Sequence, residues 1–212
     1  MPAVRGLERA KRAALVVNEM QNAIANPAYD DTPLAGQVAA RGIVARINTL
    51  AAAFRAVGAP VIFATIAARS PDWAGFRVNC ALAARIQRKG KLVEGTATAA
   101  IHDDLVVEPS DIVNHRAHGM APFTGTTLDA TLRGYGIDTV VLSGVSTNIA
   151  LPGAATEAVA LGYNVVLAED CTAGATPETH QMQITMHLPL LATITDAESV
   201  STSLLDGQPG GT

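Results

Sequence analysis

Three short stretches carry the side chains that could do chemistry. The first is VVNEMQN, Val16 to Asn22, in which Glu19 follows an apolar run. A carboxylate at the carboxyl end of a buried strand points into the crevice where open α/β sheets bind ligands, the place for a general acid or base. On position alone, Glu19 reads equally well as a strand-end carboxylate in a surface ion pair. The second stretch is DIVNHRAHGMAPFTGTTLD, Asp111 to Asp129, which holds His115, Arg116 and His118. Arginine keeps its proton up to a pKa above ~12, so Arg116 can clamp an anion or stabilise charge but cannot relay a proton. His115 and His118 are of the residue type that serves as a base near neutral pH, although a lone loop histidine is more often solvated or structural. Met120 and Phe123 suit a pocket wall or the core.

The third stretch, TVVLSGVSTNIALPGAATEA from Thr139 to Ala158, is an apolar run ending at Gly144, then a small polar turn, then an alanine-rich helical segment. Ser146 and Thr147 offer hydroxyls there, yet with no base beside them they read as turn or cap residues. The two cysteines, Cys80 and Cys171, have neither CxxC nor His/Cys spacing, so no disulfide framework or zinc site is expected. Cys171, in AEDCTAG, lies just past another apolar run, but no neighbouring histidine lowers its pKa, and Cys80 is a weaker candidate still. Trp73 is a candidate lid or pocket aromatic, against the commoner role of a lone tryptophan in a core or interface.

Strands and helices must position these residues. The apolar runs Ala13–Asn18, Val61–Ile66, Asp111–Asn114, Thr139–Leu142, Asn164–Ala168 and Leu191–Thr195 read as six strands. Between them, helices are expected over about 37–57, 72–88, 125–135, up to Leu161 after the polar turn, and 177–187. Pro152 is best accommodated at a first helical position, which makes Leu151 the cap of the fourth helix. Strands alternating with helices of this length predict a three-layer α/β/α Rossmann-like sandwich with a mainly parallel six-stranded sheet.

At 212 residues and 49% hydrophobic content, the chain suits one domain spanning 1–212, with GQPGGT at 207–212 expected to be a disordered tail. A net charge of −4, with no Lys/Arg run longer than Lys11-Arg12, offers no footprint for nucleic acid or an anionic membrane. The charged start MPAVRGLERAKR and the short apolar run after it fit neither a signal peptide nor a membrane span, so a cytoplasmic protein acting on a small molecule is expected.

GVSTNIALPGAATEA resembles the nucleophile turn of the isochorismatase-like (cysteine hydrolase) superfamily, written GVSTNxCVxxTAxxA, and the likeness runs from Ala13 to about Asp196. The resemblance implies that Glu19 stands where the catalytic aspartate would be and Arg116, or His115 if the alignment slips by one, where the catalytic lysine would be. Ala150 takes the place of the nucleophilic cysteine. It also implies a cis peptide between Val145 and Ser146, with amides from Val145 to Ile149 as a charge-stabilising surface. The zinc-binding DxH of the nicotinamidase branch is replaced by RSPDWAGF, so neither metal nor cofactor is implied. Members are commonly dimers or tetramers, which implies a homodimer or homotetramer. Alanine has no nucleophilic atom, so the thioester route is closed at this position. The expectation is a hydrolase of a small, carboxylate-bearing metabolite that works by non-covalent acid/base catalysis, a vinyl ether being the bond that fits best. Arg116 would be the anion clamp and Glu19 the acid or base, an ionised base being favoured because Arg116 would lower its pKa. The rivals are a lyase, isomerase or cyclase on the same scaffold, and a retired enzyme kept for binding or assembly.

Overall fold

The structure, a computed structural model, describes residues 4–7 and 12–206; the expected tail at 207–212 lies outside them. Six strands, β1 (Ala13–Asn18), β2 (Val61–Ile66), β3 (Ile112–Arg116), β4 (Thr139–Val145), β5 (Asn164–Ala173) and β6 (Thr193–Thr195), form one sheet. Its order is β3-β2-β1-β4-β5-β6 and every pairing is parallel. All residues of β1, β2 and β4 are buried, because helices cover both faces of the sheet and leave no side for polar residues.

Alternation along each strand divides the core in two. Leu15, Val17, Phe63, Val141 and Val166 pack beneath α3 (Ile43–Ala56) and α8 (Ala197–Asp206). Ala14, Val16, Ile62, Val140 and Leu142 face α5 (Leu128–Gly134) and α6 (Ala150–Ala160). α6 buries Ala154, Ala155 and Ala158, whose small side chains let its backbone lie close to the sheet.

Several elements differ from the reading of the sequence. The helix expected over 37–57 is two helices, α2 (Pro33–Arg41) and α3, broken at Gly42 with φ +61°. α2 starts earlier because Thr32 accepts from the Ala35 amide and Pro33 supplies a pre-set φ. Of the helix expected over 72–88, only α4 (Ala81–Lys89) forms. Asp72 accepts from Ser70 and the Ala74 amide, and Trp73 and Gly75 take φ +60° and +79°, so residues 70–76 turn back on themselves. α6 begins at Ala150, with Ile149 as cap, so Pro152 is the third residue of its first turn, where no intrahelical donor is needed. α7 (Pro177–Met182) passes into a π-helical turn at Gln183–His187 and a 3-10 turn at Leu188–Leu190. α8 was not anticipated, although Asp196 accepts from the Ser199 amide as a cap would. α1 (Asn22–Ala25) is a single turn beyond β1.

Candidate functional site

The chain reverses its direction of winding between β1 and β4, since β2 and β3 lie on one side of β1 and β4 to β6 on the other. Crevices of α/β sheets open at this point, beyond the carboxyl ends of the strands. Here it holds Glu19, directly after β1, and the turn 145–149, directly after β4.

The junction is tightly built. Gly144 has φ +89°, and a Cβ there would lie 2.3 Å from the Asn18 carbonyl oxygen, so no larger residue lets β4 run this close to β1. Asn18 Nδ2 donates to the Val145 carbonyl at 2.6 Å, and the Val145–Ser146 peptide is cis. The Thr147 amide donates to the Ala173 carbonyl, and those of Ile149 and Leu151 to the Ser146 carbonyl. The amides of Asn148 and Ala150 donate to no protein acceptor among the described residues. They sit at the start of α6, where unpaired N–H groups and the helix dipole favour negative charge.

A cavity of about 400 Å³ opens in front of this turn, a size suited to a small-molecule ligand. Glu19, Ser146, Asn148, Ile149 and Ala150 line it together. Glu19 itself takes φ +51°, and its side chain keeps 15% of its surface open. Arg116, at the end of β3, donates from Nη2 to Glu19 Oε1 across the end of β2. Only 2% of the Arg116 side chain is exposed, and its Nε and Nη1 have no acceptor among the described residues. Burial pushes the Glu19 carboxyl above its ordinary range, and the Arg116 charge and hydrogen bond only partly offset this. The balance is therefore opposite to the one expected from the sequence. A buried glutamic acid beside one arginine can hold a proton ready for transfer.

Adjacent residues of β3 point to opposite faces, so Arg116 meets Glu19 while His115, exposed, lies against Thr65 Oγ1 at 3.3 Å. Of the other residues proposed from sequence, Met120 lines the cavity, but Val145, Thr147, His118, Phe123 and Trp73 do not. Phe123 packs against Tyr163 in the core below α5 and α6. Trp73 stacks edge-on with Phe76, and the exposed His118 ring meets Phe76 from the other direction. Cys171 is fully buried in the core under α3 and α8, away from the cavity, and burial pushes its thiol pKa up. Cys80 caps α4 through Sγ.

Sequence reasoning missed two groups. Gln21, in the MQN triplet, donates from Nε2 to the carbonyls of Ile66 and Ala99 and accepts from the Ile66 amide, stitching the cavity floor to β2. Behind the turn, Thr147 Oγ1 lies 3.3 Å from His180 Nδ1, and His180 Nε2 lies 2.8 Å from Glu169 Oε1. Thr147 is wholly buried and outside the cavity, so its hydroxyl cannot reach a substrate despite the histidine beside it. Among the described residues no group of three or more His, Cys, Asp or Glu side chains could hold a metal ion, and no helix is long and apolar enough to cross a membrane.

Known proteins share this arrangement of chain. The chain is 33% identical over 199 residues to the uncharacterized isochorismatase family protein YecD of Escherichia coli O157:H7, covering 92% of this chain and 97% of that one. The crystal structure of an isochorismatase family protein from Desulfovibrio vulgaris superposes with a TM-score of 0.78 at 27% identity, over 92% of this chain and 98% of that one. N-carbamoylsarcosine amidase from Thermoplasma acidophilum superposes with a TM-score of 0.68 at 26% identity, over 88% of this chain and 97% of that one. The family profile described as "Isochorismatase domain" matches residues 13–199, nearly the whole fold including both sides of the crevice, and the chain therefore belongs to the isochorismatase family.

Proposed function

We propose that this protein is a hydrolase of a small, carboxylate-bearing metabolite that works by acid/base catalysis without a covalent intermediate. The observation that carries the reading is Glu19: a carboxyl with a raised pKa, held by a buried arginine, lining the same cavity as the side chain of Ala150. A vinyl ether is the bond that suits it best. Glu19 gives its proton to the terminal vinyl carbon, and water adds to the resulting oxocarbenium carbon as the Glu19 carboxylate takes a proton from it. The hemiketal then opens to a ketone and an alcohol as its hydroxyl proton passes to the departing oxygen. Asn148 and Ala150, whose amides have no acceptor among the described residues, line the cavity, and in this reading those amides meet the negative charge that collects on oxygen as the C–O bond opens. Arg116 does not line the cavity, and in this reading it orients Glu19 rather than binding substrate. The open cavity favours an enzyme over a retired binding module, which would be expected to fill it with side chains.

The test is a mass-spectrometric screen offering isochorismate, related enol-ether acids and simple amides to the wild type and to Glu19→Gln. Turnover of an enol ether should fall about 10²- to 10⁴-fold in Glu19→Gln, the share that a positioned general acid contributes. It should also decline as pH rises through a value above the usual ~4.3 of a glutamate, because the acid form is the reactive one. Turnover of amides that survives Glu19→Gln would sink the reading.

A further inference from the structure

The mouth of the cavity is formed by α4 and the chain that follows it. Leu82, Arg85, Ile86 and Lys89 all line the cavity, and their spacing of three, four and seven residues places them on one face of this helix. Ala83, off this stripe, is the residue α4 buries in the protein. The stripe is therefore a ligand-facing surface of alternating apolar and cationic character, continued by Lys91 and Leu92. Among the described residues that line the cavity, Asp30 is the one carboxylate besides Glu19, against the cations Arg85, Lys89 and Lys91. Asp30 binds both Lys89 and Lys91, and although burial raises its pKa, those two hydrogen bonds win and hold it below the usual range. Lys91 also donates to the Tyr29 carbonyl at 2.8 Å, so it is fixed in place. Arg85 is exposed and makes no hydrogen bond or ion pair with the protein among the described residues.

The rest of the lining is largely apolar, with Ile24, Leu34, Ile66 and Ile149 among it. Glu19 is already paired with Arg116, so this end of the cavity offers an anionic group no free cation. We infer that the substrate is an amphiphilic anion whose carboxylate docks on Arg85 at the mouth, with Lys89 and Lys91 beside it. An apolar spacer then carries the reacting bond down to Glu19. This rests on the acid/base reading above for the position of the reacting bond, but the anion site itself does not. It assigns Arg85 as a specificity-determining residue and moves the anion clamp from Arg116 to α4.

A matched pair of probes tests it: 3-phenylpropionate and its uncharged amide, 3-phenylpropanamide, titrated calorimetrically into the full chain at low salt. The acid should bind about tenfold more tightly than the amide, which is ~1.4 kcal/mol. Arg85→Ala should erase that preference and Arg85→Glu reverse it, while amide affinity stays the same in all three proteins. Raising the salt to 0.5 M should erode the acid's advantage, since the mouth is open to solvent. Glu19→Gln should bind the acid as the wild type does. That control separates the two claims: intact acid binding with no turnover of any enol ether would retire the acid/base reading and leave the anion site standing. Equal affinity for acid and amide, a preference that survives Arg85→Ala, a preference lost in Glu19→Gln, or no binding of the acid would each overturn the inference.

Discussion

Two partly buried carboxylates flank the turn after β4, and they are held in different ways. Glu19 meets a single arginine, which keeps two nitrogens without acceptors, and Asn18 Oδ1 next to it is also unpartnered. Glu169 accepts from both His180 and Arg41, at 2.8 and 2.6 Å, and Arg41 also donates from Nε to the Thr172 carbonyl and from Nη2 to the Glu169 carbonyl. The outcomes diverge accordingly. Burial dominates at Glu19 and raises its pKa, whereas the His180 hydrogen bond dominates at Glu169 and brings it down to about 2. A carboxylate held by two donors is a structural brace; one held by a single donor on a cavity wall can exchange its proton. Each is tied to the same turn, Glu19 by its neighbour Asn18 through the Val145 carbonyl and Glu169 by His180 through the Thr147 hydroxyl, so in the proposed mechanism one side of the turn is reactive and the other rigid.

The sharpest way to break this contrast is to remove each cation in turn. Arg116→Met should destabilise the fold by ~1–3 kcal/mol, because it removes the buried donor that Glu19 accepts from. Glu19→Gln/Arg116→Met should recover part of that loss, since no buried charge is left unmatched. Arg41→Met should cost about 1 kcal/mol or less, given that 29% of the Arg41 side chain is exposed and His180 still serves Glu169. Urea denaturation of the four proteins measures all three values. Equal costs for Arg116→Met and Arg41→Met would erase the distinction between the two clusters.

Acid titration of stability gives the next largest difference. The folded-state pKa of Glu169 is depressed to about 2, so its ionised form favours the native state. That contribution is complete above the unfolded value near 4.5 and is lost as pH falls from there toward 2. With 32% of the side chain exposed, solvent screening leaves it on the order of 1–2 kcal/mol. Glu169→Gln should flatten the stability profile between pH 4.5 and 2 while leaving the pH dependence of turnover, which belongs to Glu19, unmoved. A shift of the rate profile in Glu169→Gln would mean that the brace takes part in the chemistry.

How much of this was legible in the sequence follows from the range of the forces involved. The strand order of burial, Glu19 at the end of β1 and the turn after β4 were legible, because apolar runs and their flanks are local patterns. The break at Gly42 was missed because apolar residues continue at helical spacing across it, and only the left-handed φ separates α2 from α3. The loop at 70–76 was missed because Asp72, within a segment rich in helix formers, binds its own backbone instead. The brace was invisible: Thr147, Glu169 and His180 are 33 and 11 residues apart along the relevant pairs, and nothing local marks them as partners. The pKa balance at Glu19 was misjudged for a related reason, since the sequence displays the arginine but not the burial that outweighs it.

Cys171 offers the smallest effect and the most direct check on the absence of a thiol route. It follows Asp170 at the carboxyl end of the sheet, where a relocated nucleophile would have to be, but its side chain is fully buried under α3 and α8. Burial, reinforced by the Asp170 charge, raises its pKa, so the thiolate that would attack a substrate is scarce at neutral pH. Cys171→Ala removes one buried sulfur and should cost ~1 kcal/mol of stability, in line with small core deletions. Turnover of any substrate identified by the screen should stay within about twofold of wild type, because the thiol touches neither the cavity nor Glu19. Iodoacetamide should label Cys80, which is exposed, and leave Cys171 unmodified until the protein is unfolded. If Cys171→Ala instead folds normally and loses activity a hundredfold or more, the reactive side of the turn has been misplaced. Catalysis would then belong to the rigid side, next to Glu169, and not to Glu19.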